Sequence, residues 1–83
     1  MKTAYSNKLL DILREIRPGN DFAKSQDFVS DGLLDSFDII TLVAKLESCF
    51  GISIDGKDVR AENFKNLKTL KKFVLYYVPL HKG

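Results

Sequence analysis

The sequence predicts an all-α fold: a small four-helix bundle, three main helices plus one short helix, with a long first loop. Three observations predict it. Apolar residues recur at three- and four-residue steps in three separate stretches, the spacing of one helical face. Pro18-Gly19, Gly51 and Pro79 punctuate those stretches where each pattern runs out. The one alternating run, Ile52-Ser53-Ile54, has no second strand-like run to pair with, so it is read as loop.

The chain has 83 residues and is expected to form one domain over residues 1–83. At that size roughly 60–65% of the unfolded surface is buried on folding, enough for one modest core. A content of 45% hydrophobic and 29% charged residues fits an ordinary globular protein rather than a disordered or fibrous one. No apolar run approaches the roughly 20 residues of a membrane helix. The opening residues Met1 to Lys8 lack the apolar region of a secretory signal, so the expectation is a cytosolic, non-inserted monomer.

The first helix is predicted from about Thr3 to Ile16. Leu9, Ile12, Leu13 and Ile16 share one face, while Lys8, Asp11, Arg14 and Glu15 fall elsewhere. Pro18-Gly19-Asn20-Asp21 ends it. The connection from Arg17 to Asp35 exceeds the usual link in a bundle, and such loops are functional or contain a turn of their own. Phe22, Phe28, Val29, Leu33 and Leu34 are expected to pin it to the core, and Gly32 allows a sharp backbone turn.

The second helix runs from Ser36 to Phe50. Leu42, Val43, Leu46 and Phe50 form its inward stripe, Asp35 is the N-cap, Asp38 adds a first-turn carboxylate, and Gly51 is the stop. Ile52 and Ile54 seal the loop that follows. Residues 55–64 form at most a short helix with Val59 and Phe64 as its apolar contacts. The last helix starts at an Asn66 cap and turns Leu67, Leu70, Val74 and Tyr77 inward, with Phe73 beside them and Pro79 at its end. Tyr76 and Tyr77 are expected to pack at the core edge with their hydroxyls near the surface.

The single Cys49 makes no internal disulfide and is read as a small hydrophobe packed near Phe50. His81 is the only histidine, so no protein-built His/Cys metal site is expected.

Ser36 carries the chemistry. A hydroxyl on the first turn of a helix is exposed, and a phosphate ester built on it would lie against unpaired N–H groups and the positive end of the helix dipole. No His or Lys nearby is placed to deprotonate it, and Gly32-Leu33-Leu34-Asp35-Ser36 lacks the G-x-S-x-G elbow of a nucleophilic serine. The residue is an attachment point rather than a catalyst, and no catalytic residues are assigned.

The run GLLDSFDIITLVAKLESCFGISI, Gly32 to Ile54, resembles the signature of the acyl and peptidyl carrier proteins, in which D-S-[LMF] opens the second helix, L-V-x-x-L-E follows and F-x-I closes it. The resemblance implies a carrier-protein bundle whose serine, here Ser36 after Asp35, receives 4′-phosphopantetheine from coenzyme A. The thiol of that arm would hold acyl or aminoacyl cargo as a thioester. It also implies a set of partner enzymes: a separate phosphopantetheinyl transferase, an acyl- or aminoacyl-activating ligase, and a downstream acyltransferase or synthase. Phe37, Asp38, Ile40, Ala44 and Glu47 fall where partners commonly meet the family. The Leu33-Leu34-Asp35-Ser36 start is shared with D-alanyl carriers, which keeps D-alanine open as cargo.

Charge is distributed unevenly. Residues 1–50 carry 6 basic and 8 acidic side chains, and residues 51–83 carry 7 basic and 3 acidic. Asp31, Asp35, Asp38 and Glu47 against Lys45 leave residues 31–50 at −3, a field expected to steer a basic enzyme surface toward Ser36. Thr41, Lys45 and Ser48 replace acidic or neutral residues frequent in fatty-acid carriers, so a different partner set is expected. Lys65, Lys68, Lys71, Lys72 and Lys82 read as a solvated face, with contact to a nucleic acid or an anionic membrane surface kept as the outside alternative. Without clustered arginines or interleaved aromatics, no nucleic-acid partner is expected. A degenerate, unmodified helical interaction module in which Ser36 is only a cap is the alternative to the carrier.

Overall fold

The computed structural model describes residues 2–78, with side chains from residue 5 onward. Pro79, His81 and Lys82 lie outside the described residues. The order of elements is α1 (Lys2–Ile16), α2 (Ser36–Phe50) and α3 (Leu67–Tyr77), with short 3₁₀ turns at Phe22–Lys24, Gly56–Asp58 and Ala61–Phe64. Among the described residues there is no strand, as the isolated Ile52-Ser53-Ile54 alternation implied. The predicted short fourth helix is realised as the last two of these turns. Asp55 caps the first, its carboxylate accepting the Lys57 N–H at 3.2 Å.

One core joins all three helices. Leu9, Ile12 and Leu13 enter from α1, Ile39, Leu42 and Leu46 from α2, and Leu70, Phe73 and Val74 from α3. Ile39 is absent from the predicted stripe of α2; its place one turn before Leu42 and Val43 puts it on the same face. Val43, Phe50, Leu67 and Tyr77 pack around the margin. The loops add Phe22, Phe28, Leu34, Ile54 and Phe64, all buried. Phe22 meets Phe28 edge to face at 5.2 Å, and Phe64 meets Phe73 in the same manner at 5.1 Å.

The long first loop is stitched down as well as packed. The Phe28 carbonyl accepts N–H groups from Leu33 and Leu34, and the Phe28 N–H donates to the Lys65 carbonyl at 2.6 Å. The Asn66 amide also donates to the Gln26 carbonyl at 3.1 Å, while its side-chain oxygen caps α3 by accepting the Thr69 N–H. The loop thereby reaches Ser36 from a fixed direction.

Three expected burials are corrected. Val29 is 40% exposed because the turn from Asp27 to Asp31 rotates it outward, with the Asp31 N–H bonded to the Asp27 carbonyl. Cys49 is exposed rather than packed near Phe50. Phe50 is instead covered by Tyr5, stacked at 5.7 Å, with the Lys8 ammonium 5.6 Å from its ring. Tyr76 is 79% exposed, whereas its neighbour Tyr77 follows the expectation. The Tyr77 hydroxyl donates to the Asp58 carboxylate and accepts the Asp55 N–H, fastening the 3₁₀ turn to the end of α3.

Candidate attachment site on the second helix

Gly32 takes a positive φ of 76°, which turns the loop toward the start of α2. Leu34 is buried, and Asp35 then takes extended backbone as the N-cap. A reciprocal capping box follows. The Asp38 N–H donates to Asp35 Oδ1 at 2.9 Å, and the Asp35 N–H donates to Asp38 Oδ2 at 3.1 Å. At the other end Gly51 closes α2 in the left-handed conformation with φ 64°.

Ser36 is therefore the first helical residue, and its side chain is exposed. Among the described residues no hydrogen bond uses its hydroxyl, and no His or Lys is paired with it. The hydroxyl has open access to solvent at the positive end of a 15-residue helix. A phosphodiester on Ser36 fits this setting, since it needs an unburied hydroxyl and gains from the adjacent dipole.

The other predicted site residues divide into two groups. Phe37 and Ile40 are 73% and 64% exposed, and Ala44 is exposed on the same sector of α2. Asp38 and Glu47 face inward contacts instead. Asp38 is only 8% exposed and holds the capping box, while Glu47 Oε2 accepts the Ile54 N–H at 2.8 Å. Thr41 and Ser48 complete an outer face flanked by Lys45, which is paired with Glu15, and by this engaged Glu47.

The expected acidic field is correspondingly weaker beside Ser36. Arg17 Nη2 lies 2.8 Å from Asp38 Oδ2 and 3.3 Å from Asp35 Oδ2. Asp35 is held below the ordinary carboxylate value, first by the Asp38 N–H and then by the Arg17 guanidinium. Lys45 is paired with Glu15 at 2.9 Å, and Asp31 accepts the Ser25 hydroxyl at 2.6 Å. Arg17 was not legible as part of the site; the one available signal was a basic residue at the exit of a helix facing a loop that returns to two aspartates.

Away from this site, an open groove of about 530 Å³ runs between the Gly56–Asp58 turn and α3, lined by Lys57, Asn63, Lys72 and Tyr76 among others. It includes no residue of α2. Among the described residues no helix is long and apolar enough to cross a membrane.

A solvent-facing serine at the start of the central helix, braced by a capping box and without a base beside it, is an arrangement that suits a carrier domain. The family model described as phosphopantetheine attachment site matches residues 7–74, and the chain belongs to that family. Its cofactor is covalently attached 4′-phosphopantetheine, and such domains are carriers rather than catalysts that work with modifying transferases and biosynthetic enzymes. No curated protein matches the sequence.

Proposed function

We propose that the chain carries acyl or aminoacyl cargo on a phosphopantetheine arm attached to Ser36 and presents it to partner enzymes across the outer face of α2. The observation that supports this most directly is the exposed Ser36 as first residue of α2, on a turn braced by Asp35 and Asp38. When bound, the arm supplies a terminal thiol that holds cargo as a thioester. The protein's own residues give the arm a fixed root: Ser36 provides the ester oxygen, and Asp35 holds the turn. Phe37, Ile40 and Ala44 give partners an apolar contact.

In this reading a separate phosphopantetheinyl transferase loads the arm in the cytosol, an acyl- or aminoacyl-activating ligase charges it, and an acyltransferase or synthase receives the cargo. The Leu33-Leu34-Asp35-Ser36 start keeps D-alanine among the aminoacyl candidates.

Intact mass after incubation with coenzyme A, magnesium and a promiscuous phosphopantetheinyl transferase tests it. The expected result is a gain of one phosphopantetheine by the wild type and none by Ser36→Ala. An unmodified wild type beside a modified control carrier would establish the degenerate interaction module instead.

A further inference from the structure

We propose that Arg17 is a positioning residue for the attachment turn and sets how readily Ser36 accepts the arm; the proposal rests on Ser36 being the attachment residue. Arg17 follows the last residue of α1, and its N–H still bonds to the Leu13 carbonyl at 2.9 Å. Its backbone is held from the other side by the Asn20 amide, which donates to the Arg17 carbonyl at 3.3 Å. From that anchored position a single guanidinium nitrogen meets both carboxylates of the capping box, 18 residues ahead at Asp35 and again at Asp38.

The two carboxylates differ in what they need. The Asp35 side chain is 61% exposed and keeps water as an alternative partner. The Asp38 side chain is 12% exposed, receives the Asp35 N–H, and has Arg17 as its counter-ion. A carboxylate so far out of water is held in place by the charge beside it, and removal of that charge favours its escape toward solvent. Escape of Asp38 releases the Asp35 N–H, opens one half of the capping box and frays the residues on either side of Ser36.

Arm transfer demands a settled turn. It forms a bond between Ser36 Oγ and phosphorus and breaks the pyrophosphate bond of coenzyme A. Adenosine 3′,5′-bisphosphate leaves, and the hydroxyl proton passes to a base of the transferase. An oxygen that wanders by an ångström loses much of the advantage of being held in line. Arg17 thus acts on Ser36 through Asp35 and Asp38 without touching it.

The test is steady-state arm transfer from coenzyme A by a promiscuous phosphopantetheinyl transferase with magnesium, on wild type, Arg17→Ala and Arg17→Lys, with amide exchange measured in parallel. Arg17→Ala is expected to lower the rate at saturating carrier about tenfold. Exchange at Asp35, Asp38 and Ile39 should accelerate, while Leu13 and Leu70 remain protected. Arg17→Lys restores the charge on a shorter side chain of different shape and is expected to recover part of the rate. A wild-type rate in Arg17→Ala, or uniform loss of protection that includes Leu13 and Leu70, would overturn the proposal. Failure of the wild type to accept the arm overturns the attachment reading instead.

Discussion

The second and third helices bury similar inward stripes and show the solvent different faces. α2 turns Ile39, Leu42 and Leu46 inward, and α3 turns Leu70, Phe73 and Val74 inward. Outside, α2 presents Phe37, Ile40, Thr41, Ala44 and Ser48 next to Ser36, with its acidic residues drawn into internal bonds. The outer side of α3 carries Lys68, Lys71 and Lys72 with the exposed Tyr76, and the helix contains no acidic residue. The inner faces decide the fold and the outer faces decide what approaches. Around Ser36 the charged side chains Asp35, Arg17 and Lys45 are each engaged in an ion pair, although the chain as a whole is formally +2.

The largest effects test the equivalence of the inner faces. Leu42→Ala and Leu70→Ala each remove a fully buried side chain and are expected to cost about 2–5 kcal/mol, measured by urea unfolding. A much smaller loss in one of them would break the symmetry. The outer faces should then separate: Ile40→Asp is expected to reduce transferase kcat/KM roughly tenfold, whereas Lys72→Gln leaves it within about twofold. Equal losses would mean that α3 shares the docking surface.

Smaller effects sharpen the contrast between the ends of the molecule. Asn66→Ala removes the cap of α3 and the strap to Gln26, with an expected cost of about 1–2 kcal/mol by thermal unfolding. Acid and alkali should loosen different ends. Asp35 titrates below its ordinary 3.8, so its stabilisation is present above that value and disappears as pH falls through the lowered folded value. Tyr77 titrates above its ordinary 10.0, chiefly because its hydroxyl donates to Asp58, so its contribution is present below 10.0 and is lost as pH rises through the raised folded value. Residue-resolved amide exchange is expected to show the start of α2 opening first in acid and the Gly56–Asp58 turn opening first in alkali.

Much of this was legible from local sequence because local physics decides it. Asp35, Gly51 and Asn66 cap their helices from within a few residues, and Leu9, Leu13, Leu42 and Leu46 follow helical spacing into the core. The apolar anchors Phe22, Phe28 and Phe64 were also recognisable. What escaped depends on partners distant in sequence or on the angle of a turn. Arg17 meets Asp35 only because the loop returns to α1, and Glu47 is spent on Ile54 only because α2 ends in a left-handed glycine. Val29 is rotated outward by the turn from Asp27 to Asp31, and Cys49 and Tyr76 are exposed on their helices. The 3₁₀ turns at Gly56–Asp58 and Ala61–Phe64 are too short for apolar periodicity to announce.

The strap between the first loop and the start of α3 also sets a clock. Gln26 and Asn66 stand 40 residues apart, and Phe28 likewise waits for the Lys65 carbonyl. At roughly 5–20 residues per second on the ribosome, the two sides of this strap are synthesised seconds apart. Ser36 is translated well before the residues that brace its loop. A nascent chain that ends between them holds Gln26 and Phe28 without the partners that fix the loop leading to Ser36.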